Sequence, residues 1–280
     1  MSWGLRGRAL ICTLTGMAAF AAASGSAWAA GPGRVSIPPM AQTSPAVNPL
    51  TSLGQIGNDT VTSTNWAGYA VQDASKFTDV KGTWVEPTAT CSAYFTAQYA
   101  AFWAGIDGYS SDSVEQLGTD SDCLGHNRPS YYAWYEMYPA DSVDLSTTQY
   151  PVKPGDTLSA EVSVSGSTFT LKMTSSEGWT FTTTQTGSGL AQSSAELIAE
   201  SPEICGVFSC RLAELSNFGT VNFSGAEAAV SGGADQPMSA FTADSGPHDI
   251  IAETSGGVVR ALPSPLSASG NAFSITWKHD

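Results

Sequence analysis

Few residues in this chain are equipped for nucleophilic or metal chemistry, and that narrows the search. Only three histidines occur, His126, His248 and His279. None neighbours a Gly-x-Ser-x-Gly turn, the local context that presents a nucleophilic serine. A Ser-His-Asp triad assembled from distant residues leaves no local trace, and these histidines add none. No P-loop, Gly-x-Gly-x-x-Gly or His-Glu-x-x-His pattern is present. No CxxC or HxxxH spacing suggests a metal, so neither metal nor cofactor is expected. What remains for chemistry is carboxylates, side-chain amides and aromatic rings. Paired carboxylates such as Glu136 with Glu200, or Asp107 with Glu136, suit hydrolysis by general acid and base. At about 5 Å separation such a pair would serve a retaining glycosidase.

Three segments carry unusual aromatic density: NWAGY at 65–69, FWAGIDG at 102–108 and YYAWYEMYP at 131–139. Each reads as a strand with rings on both faces. One face belongs to a core. The other would place tryptophan and tyrosine in a groove, where rigid amphipathic rings suit an extended polymer.

The elements that must position these residues are strands. Apolar and hydroxyl residues alternate in LSAEVSV at 158–164, TFTLKM at 168–173, WTFT at 179–182 and AFSITW at 272–277. Helical periodicity never persists beyond two turns with caps. Many short strands between Gly, Pro, Asp and Ser clusters predict an antiparallel β-sandwich, and residues 61–280 suit one such domain. Residues 30–60 are rich in Pro, Ser, Gly and Asn, with Pro32, Pro38, Pro39, Pro45 and Pro49 opposing regular pairing. They read as a disordered linker or a short propeptide.

Residues 1–29 read as a signal peptide. Arg6 and Arg8 form the basic region, an apolar run spans 10–23, and Ala27-Trp28-Ala29 supplies a small-x-small cleavage site. The run is shorter than the roughly 20 residues of a membrane span, and Cys12 within it lacks a lipobox. A secreted, extracellular protein is expected. With Arg6 and Arg8 removed and no acid lost, 25 acidic residues face nine basic ones, a net −16. That balance disfavours nucleic acid and anionic membranes as partners. It also favours acid conditions, because such a chain sheds charge as pH falls and repels itself at neutrality. A monomer is expected.

Removing Cys12 leaves Cys91, Cys123, Cys205 and Cys210, an even count that suggests two disulfides in an exported chain. Three pairings are possible. Cys91–Cys123 with Cys205–Cys210 is favoured, the second closing a small loop around residues 206–209.

Five segments in one order now acquire meaning together: NWAG at 65–68, WAGIDG at 103–108, QLG at 116–118, AWYEMYP at 133–139 and AELIAE at 195–200. In order and spacing, across about 140 residues, they resemble the glutamic peptidases, or eqolisins, the family of the scytalidoglutamic and aspergilloglutamic acid proteases. The resemblance implies a two-sheet sandwich of concanavalin type and an endopeptidase acting on proteins at acid pH. It implies a catalytic pair formed by Gln116, from the Gln-x-Gly match, and Glu200, which ends the Ala-Glu-x-Ile-x-Glu match. Trp103, near the pair, and the acids Asp107 and Glu136 match further family positions, and Trp66 lies within the first match. Cys205–Cys210 has a counterpart in the small loop after the catalytic glutamate, whereas the first family disulfide is placed differently. Val114-Glu115 precede Gln116 where fungal members have apolar residues, and Leu197 replaces a large aromatic.

Physical logic supports such a pair. A carboxylate can take a proton from water and return it to the leaving amine. A neutral amide can hold that water through its oxygen and steady an oxyanion through its NH2. Period-two alternation sets Glu196, Ile198 and Glu200 on one face and Ala195, Leu197 and Ala199 on the other. The small apolar set should be core, leaving Glu200 in the groove with Glu196 as the neighbour that perturbs its pKa. Alternatives for the same residues are a concanavalin-like glycoside hydrolase and a carbohydrate-binding lectin. The Glu-x-Asp-x-x-Glu strand common among sandwich glycosidases is absent.

Overall fold

The computed structural model describes residues 34–41, 60–206, 209–242, 246–253 and 256–280. The signal-peptide reading of 1–29 lies outside them, as does most of 30–60. The described chain is built from strands, antiparallel except for the short pairings of Glu214–Leu215 with Gln98–Tyr99 and of His248–Glu253 with Val61–Ser63, with one short 3-10 turn at Met238–Ala240.

Alternation explains the layers. One sheet runs, in spatial order, Pro129–Tyr138, Val114–Cys123, Ala101–Ile106, Ser194–Glu200, Trp66–Gln72 and His248–Glu253. Val259–Pro263 and Ala272–Trp277 lead from it into a second sheet. That sheet continues through Thr220–Val230, Phe77–Val85, Thr157–Ser165, Thr168–Ser175 and Thr180–Thr186. The inward residues of both sheets, among them Phe102, Leu117, Leu197, Trp84, Val162 and Leu171, merge into one core. This is the two-sheet sandwich expected from the sequence.

Ala195, Leu197 and Ala199 belong to that core. Leu197 crosses the sandwich and lies over Gly82 in the opposite sheet. A Cβ on Gly82 would come within 1.9 Å of Leu197 Cδ2, so any other residue there would force Leu197 to move. The Val114–Cys123 strand is buried at all ten positions, because its second face is also covered.

Both disulfides form as favoured, Cys91–Cys123 and Cys205–Cys210. The second closes the hairpin of Glu203–Cys205 and Cys210–Leu212. Against the hairpin edge lies Arg34–Ser36, paired Arg34 to Cys205, Val35 to Ile204 and Ser36 to Glu203. Regular pairing was not expected in this proline-rich region. It occurs because the stretch before Pro38 retains its N–H donors and meets an open strand edge.

Candidate active site

Register places the candidate residues on the outer face of the first sheet. Gln116 lies opposite Glu136 on one side and Gly105 on the other. Trp103 lies between Gly118 and Ile198. Glu200 lies between Ala101 and Trp66. Because these positions share parity along their strands, their side chains share a face. Trp66, Trp103, Trp134 and Ile198 form a second apolar cluster there, separate from the main core.

Two glycines make room for the rings. A Cβ on Gly105 would stand 2.8 Å from the Trp103 ring and 3.1 Å from Gln116 Cβ. A Cβ on Gly118 would stand 2.8 Å from the Trp134 ring. The Trp103 ring therefore lies over Gly105, and its Nε1 reaches Glu200 Oε2 at 3.0 Å. The other oxygen of Glu200 accepts from Asn65 Nδ2 at 3.0 Å. Gln116 and Glu200 share the groove face and share no direct hydrogen bond among the described residues.

Gln116 Nε2 donates to Glu136 Oε2 at 2.9 Å and to the Ile37 carbonyl at 2.7 Å. Its Oε1 has no donor among the described residues. Glu136 Oε2 also accepts from the Ile37 N–H at 3.2 Å. Gln116, Glu136, Glu200, Trp66 and Trp103 are all excluded from solvent, because residues 36–41 lie across them. The rings expected to line an open groove are thus covered.

The two other candidate acids take different parts. Asp107 binds Gln192 N at 2.6 Å, Ser193 N at 2.8 Å and Ser193 Oγ at 3.0 Å. It pins the loop that feeds the Glu200 strand. Glu136, by contrast, touches Gln116 itself. Glu196 is expected to perturb Glu200, yet the acid whose charge chiefly raises Glu200 is Glu136. Burial raises Glu196 well above the carboxylate range, and the charges of Asp107 and Glu115 add to that. Burial likewise raises Glu200, opposed by the Asn65 bond, and there the added charge is that of Glu136. The reason is position. Glu196 stands four residues along the strand from Glu200, level with the Asp107 end.

Sequence reasoning missed two members of this face. Asn65 belongs to the aromatic segment and to the NWAG match, neither of which gives it a role, yet its amide joins Glu200. Asp120 accepts from Trp134 Nε1 at 2.6 Å and Tyr132 Oη at 3.0 Å. Its even spacing from Gln116 was the available signal.

A sandwich that sets an amide and a carboxyl on one face beside indole rings points to a class of hydrolase, and its likeness to known proteins gives it a family. Residues 64–256 match the Peptidase A4 family. The chain belongs to that family and is a glutamic peptidase acting on proteins or peptides. It is 28% identical to Aspergillopepsin-2 of Aspergillus niger over 238 residues, 77% of this chain and 78% of that protein. Its fold is similar to that of scytalido-glutamic peptidase with a peptide-based transition-state analogue (TM-score 0.63, 22% identity, 77% of this chain and 98% of that one). It is also similar to that of SCP-B, an eqolisin solved with the tripeptide Ala-Ile-His (TM-score 0.59, 20% identity, 77% and 98% covered).

Proposed function

We propose that this protein is a secreted acid endopeptidase in which Gln116 and Glu200 activate one water against a peptide carbonyl. The observation that carries the reading is the polarity of the Gln116 amide: its NH2 meets a peptide carbonyl while its oxygen is left open. Such an amide offers donors to an oxyanion and an acceptor to a water.

In the reaction, Glu200 takes a proton from the water as its oxygen bonds to the carbonyl carbon. The C–N bond then breaks, and the proton on Glu200 passes to the leaving nitrogen. One ionisable group acts as base and then acid, with no second carboxylate required to share its proton. Burial raises Glu200, and Asn65 and Trp103 donate to its carboxyl. Once water enters the groove, part of that burial is relieved and the two donors favour the ionised base. Support for secretion comes from the leader-like residues 1–29 and the two disulfides. A net charge of −14 disfavours nucleic acid as a partner.

The test is proteolysis of acid-denatured protein, with pepstatin present, from about pH 2 to about pH 8. Wild type should act in the acid range, whereas Gln116→Ala and Glu200→Gln should lose activity there. Wild-type rates from Glu200→Gln would overturn the assignment.

A further inference from the structure

The segment across the site is held as a substrate would be. Arg34–Ser36 adds a strand to the Glu203–Cys205 edge, and Ser142 Oγ donates to the Val35 carbonyl at 3.0 Å. Both main-chain polar atoms of Ile37 are taken by the candidate machinery, the N–H by Glu136 and the carbonyl by Gln116. The Pro38 carbonyl accepts from Trp66 Nε1 at 3.1 Å, and the Pro39 carbonyl from Asn65 Nδ2 at 3.1 Å. Farther on, Met40 N donates to Gly108 O at 3.1 Å and Ala41 N to Asn65 Oδ1 at 2.8 Å. Strand addition, continuous main-chain bonding and one buried anchor are the marks of extended-peptide recognition.

The anchor is Ile37, 1% exposed and packed into the apolar cluster that includes Trp66, Trp103 and Trp134. The peptide bond after its carbonyl is Ile37–Pro38. Its nitrogen carries no hydrogen, and the ring fills the space through which an acid must protonate a leaving nitrogen. We infer that residues 35–40 are a built-in pseudosubstrate, which presents Ile37–Pro38 to the catalytic residues as a bond that resists cleavage and keeps the chain latent. The same contacts assign substrate preference: an aliphatic side chain, in the place of Ile37, on the acyl side of the cut bond. This inference rests on the assignment of Gln116 and Glu200 as the pair.

The test uses the full chain and its Ile37→Asp variant, which replaces the apolar anchor with a polar carboxyl. The probe is the octapeptide RVSIPPMA, the sequence of residues 34–41, with a scrambled control. Ile37→Asp should cleave acid-denatured protein at least about tenfold faster than wild type, the ratio that ~1.4 kcal/mol of lost binding produces. By calorimetry it should bind the octapeptide and not the scramble, and the octapeptide should suppress its activity. Equal rates for wild type and Ile37→Asp, or no octapeptide binding by Ile37→Asp, would overturn the inference. Octapeptide binding without proteolysis by either chain would uphold the occupant and count against the catalytic assignment instead. In Pro38→Ala the restored N–H should permit self-cleavage after Ile37, read by mass spectrometry, and Glu200→Gln should abolish it.

Discussion

Gln116 donates to Glu136 across a strand pair that sets the two residues directly opposite, Nε2 to Oε2 at 2.9 Å. The carboxyl oxygen accepts, so it must face the NH2 and turn the amide oxygen the other way. Burial pushes Glu136 up to about 8, against the bonds from Ile37, Gln116 and Ser36. In acid it is therefore a neutral carboxylic acid whose carbonyl oxygen still accepts.

Replacing Glu136 should loosen that orientation without removing the amide. Glu136→Leu is expected to lower kcat about 10- to 100-fold with KM little changed, less than the roughly 10²–10³ expected of Gln116→Ala. Glu136→Gln, which keeps an acceptor, should recover part of the loss. Steady-state kinetics on one peptide substrate separates these cases. An unchanged kcat in Glu136→Leu would remove its orienting role.

Trp103→Phe keeps most of the ring and deletes the donor to Glu200 Oε2. That bond favours the ionised carboxylate, so its loss should raise the Glu200 pKa. The acid limb of the kcat/KM profile should move to higher pH. A limb that stays in place, or moves down, would show that the indole N–H does not act on the base.

Stability should fall as pH rises through the neutral range. Burial pushes Glu86 and Glu115 up to about 8 and Asp120 to about 7. Carboxyls in the unfolded chain titrate near about 4. Between those values the folded state binds more protons, so the stabilisation, complete below about pH 4, is lost on passing about pH 7–8. The melting temperature should decline over that window. Glu86→Gln should flatten the decline, raising stability at neutrality and barely changing it in acid. A melting temperature that climbs toward neutrality would contradict the account.

Gly105→Ala places a methyl 2.8 Å from the Trp103 ring and 3.1 Å from Gln116 Cβ. Overpacking of this kind costs about 1–3 kcal/mol. Because both neighbours belong to the site, catalysis should fall more than urea stability does. Wild-type kcat in a folded Gly105→Ala chain would show that the indole can shift without consequence.

Alternation made the sandwich legible, and it put Glu200 on the groove face because Ala195, Leu197 and Ala199 form the apolar set. It could not reveal Asn65, whose partner Glu200 is 135 residues away and leaves no periodic trace. Nor could it tell Asp107 from Glu136, since loop anchoring and amide orientation use the same side-chain chemistry. The assignment of Glu196 to Glu200 rested on shared parity alone. Parity fixes the face, and distance along the strand fixes the neighbour. In residues 34–41 the prolines masked the pairing ability of the three residues before them.

Leu197 seated over Gly82 gives the Glu200 strand a key cut from behind. Sliding that strand by two residues would keep its faces and its ladder, yet would lift Leu197 off the one position in Phe77–Val85 that lacks a side chain. The depth at which Glu200 stands is thus metered from the opposite sheet.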